Sequence, residues 1–238
     1  MIQTRNLRRS FKNGEIVTEV LKGIDFTAQD GEYVAIMGRS GAGKSTFLYQ
    51  LSLLDTPTSG EVFIDGTQTE HLSKHERMQM RLSTFGYVFQ DYALMPDLTA
   101  LENVALPLLM MGHSRTRAYN EARDALDRVS MGHRPNNLPS QLSGGEQQRV
   151  SIARAMAHKP RVLFADEPTA NLDKESSLQV MSIFDELHAA GQSIIMVTHE
   201  EEFGLRAGRL IKFDEGHIIS ESNPHESPQA PNGPHLAV

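Results

Sequence analysis

Nine consecutive residues, Gly38-Arg39-Ser40-Gly41-Ala42-Gly43-Lys44-Ser45-Thr46, constrain this chain more than any other stretch. They fit G-x-x-x-x-G-K-[ST], the P-loop pattern, and their surroundings are the ones it requires. Ahead of them, Tyr33-Val34-Ala35-Ile36-Met37 is a short apolar run that reads as a buried strand. Behind them, Thr46 to Leu54 carries leucines and good helix formers. A strand, a glycine loop and a helix start present a row of backbone N–H groups to an anion, reinforced by the positive end of the helix dipole. Gly38, Gly41 and Gly43 let the backbone turn sharply and approach a phosphate. Lys44 is placed to reach β- and γ-phosphates, and the Ser45 hydroxyl to help hold Mg²⁺. The chain is expected to bind a nucleoside triphosphate.

Composition narrows the class. The chain has 238 residues, 39% hydrophobic and 22% charged, which suits a globular protein with a substantial core. Its formal net charge of −7 argues against general nucleic-acid binding, which needs clustered Lys and Arg. The absence of cysteine excludes disulfides, thiolate chemistry and Cys-based zinc sites. Met1 to Phe11 has arginines without an apolar segment behind them, so no signal peptide is expected. The longest candidate for a membrane span, Val104 to Met111, falls short of the roughly 20 residues required and contains Pro107. A soluble chain is expected.

Ile2 to Phe11 and Val17 to Ala28 read as strands broken by the turn Lys12-Asn13-Gly14-Glu15. Glu61 to Ile64 and Phe85 to Phe89 read as further strands, and Ser73 to Arg81 as a charged helix. From Asp91 to about Leu138 the texture becomes helical. Thr99-Ala100-Leu101-Glu102 is a capping box, and Arg115 to Val129 is amphipathic. Glu146 to Ala157 and Lys174 to Ala190 read as helices, Arg161 to Ala165 and Ser193 to Thr198 as core strands. Arg209 to Phe213 with His217 to Ser220 reads as a terminal hairpin. The alternation predicts an α/β core over about 1–90 and 139–220, with a helical insertion over about 91–138. Residues 221–238, rich in proline and polar side chains, are expected to be disordered, and their His225 and His235 are not expected to bind metal.

Val162-Leu163-Phe164-Ala165-Asp166-Glu167 is an apolar strand ending in two carboxylates, which need something positive beside them. Asp166 is placed to reach Mg²⁺, and Glu167 to polarise an attacking water. A P-loop alone would equally suit a kinase, a GTPase or a motor.

Leu142-Ser143-Gly144-Gly145-Glu146-Gln147-Gln148-Arg149 resembles the LSGGQ signature of ABC ATPases, with Glu146 in place of the fifth-position Gln. Ser143 and the backbone of Gly144 and Gly145 open a helix and so form a second anion site. One chain cannot bring both phosphate sites to one γ-phosphate. The resemblance therefore implies a head-to-tail dimer, in which Ser143, Gly144, Gly145 and Glu146 of one copy close over the P-loop nucleotide of the other. It also implies roles for four more positions. Gln90 matches the Q-loop glutamine, which contacts Mg²⁺ and the attacking water, and Ala170-Asn171-Leu172-Asp173 matches the interface-crossing D-loop. His199 matches the switch histidine that contacts the γ-phosphate, and Phe11 the aromatic, usually Tyr, that stacks on adenine. The likeness runs from Ile2 to Ser220 and implies one ATPase domain over 1–220 that binds ATP and Mg²⁺. Its expected fold is α/β: a RecA-like P-loop NTPase core with an N-terminal antiparallel β-subdomain and a helical insertion subdomain.

Val88 to Val104 and Ala165 to Asp173 are similar to lipoprotein-releasing (LolD) and macrolide-export (MacB) ATPases, and cell-division FtsE proteins share much of both. The likeness implies a subunit that powers a separate integral membrane permease from the cytoplasmic face of the inner membrane. The permease is expected to dock near Gln90 to Leu98, where Leu94, Met95 and Leu98 are apolar in an expected surface loop and suit either a docking contact or a small core of the helical block. Amino-acid importers have similar ATPases, so the direction of transport stays open. DNA-repair and translation members carry coiled-coil insertions or a second cassette, and this sequence has neither. No nucleic-acid partner is expected.

Overall fold

The computed structural model describes residues 1–225. Its central feature is a six-stranded sheet in the order β10-β9-β3-β8-β7-β6. These strands are β3 (Tyr33–Gly38), β6 (Phe85–Val88), β7 (Val162–Asp166), β8 (Ser193–Val197), β9 (Arg209–Asp214) and β10 (His217–Ser222). All neighbours run parallel except the β9–β10 hairpin. A parallel sheet covered on both faces needs strands apolar on both faces, and β7 and β8 are buried at every position. Successive residues feed two cores. Ala35, Leu163, Ala165, Ile194 and Met196 face one, whereas Val34, Ile36, Phe164, Ile195 and Val197 face the other.

The second core lies beneath a four-stranded antiparallel sheet, order β2-β1-β4-β5: β1 (Ile2–Asn13), β2 (Ile16–Ala28), β4 (Ser59–Ile64) and β5 (Thr67–Gln68). Leu7, Leu21, Phe26 and Val62 pack there against Phe47 and Leu48 of helix α1 (Lys44–Leu51). The β1–β2 turn is tighter than the four residues expected, because Lys12 pairs with Val17 and Asn13 with Ile16. Only Gly14 and Glu15 remain outside the ladder, with Gly14 at φ 62°.

The first core is helical. Helix α2 (Lys74–Thr84) opens on a Ser73–Glu76 capping box, leads into β6 and packs its Met80 against the second core rather than this one. Helices α3 (Ala100–Met110), α4 (Arg115–Arg128) and α5 (Gly144–Met156) pack on one another, and α6 (Lys174–Ala189) packs against α5. Thr99 and Glu102 form the expected reciprocal cap of α3, and Pro107 sits inside that helix without ending it. α5 begins two residues before the Glu146 start expected, since Ser143 caps it. A short helix, α7 (Glu201–Gly204), precedes β9. β10 continues to Ser222, so Glu221 and Ser222 are strand rather than part of a disordered tail. Burial explains the difference weakly, but pairing explains it well: Glu221 pairs with Ile211 and Ser222 with Leu210. His225 ends the described region, and His235 lies outside it.

A phosphate loop, two acid pairs and a distant helix start

β3 is flanked by β8 and β9, so its C-terminal end opens at the middle of the sheet. There the chain turns into the loop of Gly38 to Gly43 and enters α1. Gly38 is required by space: a Cβ there would lie 2.0 Å from the Phe213 carbonyl oxygen. Gly43 is required by conformation, with φ 102° as it precedes the first helical residue. Arg39, Ser40 and Gly41 are exposed at the crest, Ala42 is buried and Thr46 is half-buried in α1. Helices α2, α3 and α5 each receive a Ser or Thr cap and a first-turn Glu. α1 has no side-chain cap and no acid in its first turn, so its free N–H groups and positive end face the loop. Lys44 is only 5% exposed, and its Nζ donates to the Gly38 and Arg39 carbonyls at 2.9 and 3.0 Å. The arrangement is an anion cradle with one buried cation at its floor.

Beside the cradle, Ser45 Oγ donates to Asp166 Oδ1 at 2.8 Å. Asp166 ends β7 and is 5% exposed. Burial pushes its carboxyl above the usual range; the Ser45 bond opposes this and the adjacent Glu167 charge adds to it. A hydroxyl and a carboxylate oxygen in contact, where the carboxylate lacks enough positive charge, form a donor set suited to a hard oxygen-seeking cation such as Mg²⁺.

Glu167 follows Asp166 at φ 45°, in the left-handed region unusual for a side-chain-bearing residue. Its N–H donates to the Val197 carbonyl at 2.9 Å, which aligns the end of β7 with that of β8. His199 leaves β8 two residues later, and its Nδ1 lies 3.2 Å from Glu167 Oε2. Gln90 leaves β6, whose Val88 is level with Ala165 of β7, so Gln90 emerges on the same edge as Glu167. Phe11 is 44% exposed near the hairpin tip, with the Arg9 guanidinium 4.4 Å from its ring centre. Arg9 is itself held by Asp55 at 2.7 and 2.9 Å.

The signature residues sit elsewhere. Ser143 Oγ accepts from Glu146 N at 3.3 Å, and Glu146 Oε2 accepts from Ser143 N at 2.8 Å. A carboxylate in the fifth position therefore completes the cap, which also holds it below its usual pKa, and Arg134 lies 3.1 Å away on its other side. A Cβ on Gly144 would meet the Tyr92 hydroxyl at 2.9 Å, and one on Gly145 the Ser176 Oγ at 2.7 Å. Asp173 caps α6 by accepting from Ser176 N and Oγ at 2.9 and 2.7 Å. The helix start at Ser143 therefore abuts the Asp173 cap and Tyr92, whereas the neighbours of Gly38 and Gly43 are Phe213, Val20 and Leu21.

Several residues at this edge carried no sequence signal. Arg154 of α5 donates to the Ala93 and Tyr92 carbonyls at 2.5 and 2.9 Å, in a segment where both residues have positive φ. Asn103, fully buried, accepts from Met95 N at 2.8 Å and donates to the Met95 and Leu98 carbonyls at 3.1 and 2.9 Å. Thr169 Oγ1 donates to Glu200 Oε1 at 2.6 Å. The two readings of the apolar loop residues divide: Leu94 packs against the helical core, while Met95 is 50% exposed. Nothing in the spelling Ala-Leu-Met-Pro separates the two.

Comparison with known proteins draws these features together. The family model for the ABC transporter matches residues 21–170. The chain is 40% identical over 227 residues to the lipoprotein-releasing system ATP-binding protein LolD of Shewanella frigidimarina, covering 94% of this chain and 95% of that protein. It is 46% identical over 217 residues to the macrolide export ATP-binding/permease protein MacB of Bartonella quintana, covering 91% of this chain and 33% of MacB. A dimeric ATP-binding cassette solved in a post-hydrolysis state with ADP and Pi superposes with a TM-score of 0.89 at 37% identity, covering 95% of this chain and all of that one. The match covers nearly the whole chain, including the phosphate cradle, the acids beside it and the separate Ser-Gly-Gly helix start, and the protein belongs to the ABC transporter family as an ATP-binding subunit.

Proposed function

We propose that residues 1–220 form one ATPase domain that works as a head-to-tail dimer and drives a separate membrane permease of the lipoprotein-releasing or macrolide-export type. The family hydrolyses ATP, and the observation that carries the site assignment is the meeting of cradle, Ser45–Asp166 pair and Glu167–His199 pair at the C-terminal ends of β3, β7 and β8. Open parallel sheets bind ligands at that edge.

In this reading the Gly38–Thr46 backbone and Lys44 hold the β- and γ-phosphates. Mg²⁺ held by Ser45, Asp166 and Gln90 would neutralise phosphate charge. Glu167 takes a proton from water as the water oxygen bonds to the γ-phosphorus and the bond to the ADP oxygen breaks. His199 holds the Glu167 carboxylate toward that water and donates to the γ-phosphate. Phe11 stacks on adenine with the ring face that Arg9 leaves free. Ser143, Gly144, Gly145 and Glu146 cover the partner's nucleotide, with Asp173 at the interface. This is supported by their separate neighbours within one chain and by the dimeric state of the solved relative.

Among the described residues no helix is long and apolar enough to cross a membrane. A permease would supply that span, docking near Gln90 to Leu98 with exposed Met95 at the contact, and would hold the subunit at the cytoplasmic face of the inner membrane. The test uses Glu167→Gln. Loaded with ATP, the variant is expected to stay dimeric, lose most hydrolysis and be captured from solubilised membranes with a permease bearing a large extracytoplasmic domain. Recovery of a compact importer permease would move the protein to uptake, and hydrolysis at the wild-type rate would reassign the base.

A further inference from the structure

Gln148 is fully buried in α5, the helix that opens at the signature. Its Nε2 donates to the Pro168 carbonyl at 2.7 Å and to the Phe89 carbonyl at 3.4 Å. Both acceptors are carbonyl oxygens, so chemistry fixes which end of the amide faces them. Pro168 follows Glu167, and Phe89 precedes Gln90. One amide thus joins the segment carrying the base to the segment carrying the Q-loop glutamine, and joins both to the signature helix. Other contacts reinforce the same unit. Arg154, further along α5, holds the Tyr92 and Ala93 carbonyls, and Asn171 Nδ2 donates to the Gln90 carbonyl at 3.1 Å. The Gln148 Oε1 is buried without a partner, a cost that an apolar side chain of similar length would not carry. The same amide pairs the Phe89 and Pro168 carbonyls, which such a side chain would leave without this donor, so what the amide does at this place is tie the two segments together.

We propose that Gln148 is a positioning residue that couples the two ATP sites of the dimer. It locks the Phe89–Gln90 and Glu167–Pro168 segments, which serve a protomer's own nucleotide, to the signature helix, which serves the partner's. The inference rests on the proposed roles of Gln90 and Glu167 and on the head-to-tail dimer. Coupling of this kind needs a rigid element that both sites bias, and α5 with its strapped loops is such an element.

The test compares two variants of the full chain. Gln148→Met keeps the length and removes the donor; Gln148→Glu keeps the shape and removes the N–H groups. Hydrolysis is followed against ATP concentration, beside binding of a fluorescent ATP analogue, thermal melting and Glu167→Gln as control. Both Gln148 variants are expected to bind the analogue; each removes the amide donor to the Phe89 and Pro168 carbonyls and is expected to lower the Tm, so rates are compared at a temperature where melting shows every variant folded. Their kcat should fall about tenfold or more, as misplaced catalytic groups produce, and the Hill coefficient should drop toward one. Wild-type kcat and Hill coefficient would overturn the proposal, as would a loss of kcat that tracks loss of folded protein, because Gln148 would then be a stability residue. If Glu167→Gln hydrolyses normally, the base assignment fails; if it is inactive while the Gln148 variants behave as wild type, only the coupling role fails.

Discussion

The backbone at Glu167 offers a measurement that separates strain from side-chain chemistry. Its φ of 45° lies where an L-residue costs about 1–2 kcal/mol relative to the ordinary helical or extended regions. Glycine escapes that cost but loses more freedom on folding, worth about 0.5–1 kcal/mol. Comparing Glu167→Ala with Glu167→Gly removes the His199 contact from both, so only the backbone terms differ. Their balance favours the glycine variant by about 0.5–1 kcal/mol, whereas glycine for alanine in ordinary backbone destabilises. In a chain of this size that is about 1–4 °C in Tm. Urea unfolding of the nucleotide-free protein, with equal m-values in both variants, supplies the free energies. Both variants should be inactive, so the base would sit where the fold alone would prefer glycine. An alanine variant more stable than the glycine variant would refute this and show that the turn costs less than the roughly 0.5–1 kcal/mol of freedom that glycine loses.

Two further outcomes follow from burial. Because burial raises the Asp166 carboxyl, the folded state holds that proton more tightly than the unfolded chain does, and the charged form costs stability above the folded value. Asp166→Asn is therefore expected to raise the Tm of the nucleotide-free protein at pH 8, with the gain shrinking as pH falls toward 4; a gain independent of pH would contradict it. In the loop after Gln90, Leu94→Asp should destabilise the helical core by about 1–3 kcal/mol, while Met95→Asp leaves the Tm unchanged and lowers capture of the permease. Equal effects of the two on Tm would dissolve the distinction.

Much of this arrangement is legible in the sequence because its chemistry is local. A loop of small residues before Lys44-Ser45, and apolar runs ending in Asp166-Glu167 or His199, report where strands stop and polar groups start. The capping box at Thr99 and the helix start at Ser143 are equally local, and both form. What escaped are residues whose partners are far along the chain. Gln148 and Arg154 look like ordinary polar positions of an amphipathic helix, yet their acceptors lie 59, 20, 61 and 62 residues away. Pro107 argues for a break that packing of α3 against α4 and α5 overrides. Leu94 and Met95 are both large and apolar, and only the surrounding fold decides which is covered.

The position of β3 between β8 and β9 also sets an order of events during synthesis. The phosphate loop is made early, but the strands that hold its base end at Val197 and Asp214. β1, β2 and β4 can pair as soon as Ile64 is made, because their contacts lie within that first stretch. At about 5–20 residues per second, the growing chain carries a complete P-loop sequence for roughly eight to thirty-three seconds before the carbonyl of Phe213 arrives to close against Gly38. For most of that interval β3 lacks both of its strand neighbours, and β9 is the last to arrive. Nucleotide binding by ribosome-bound chains of increasing length should therefore begin only once β9 has emerged, which makes ATP a ligand that rewards the assembled central sheet and not the P-loop by itself.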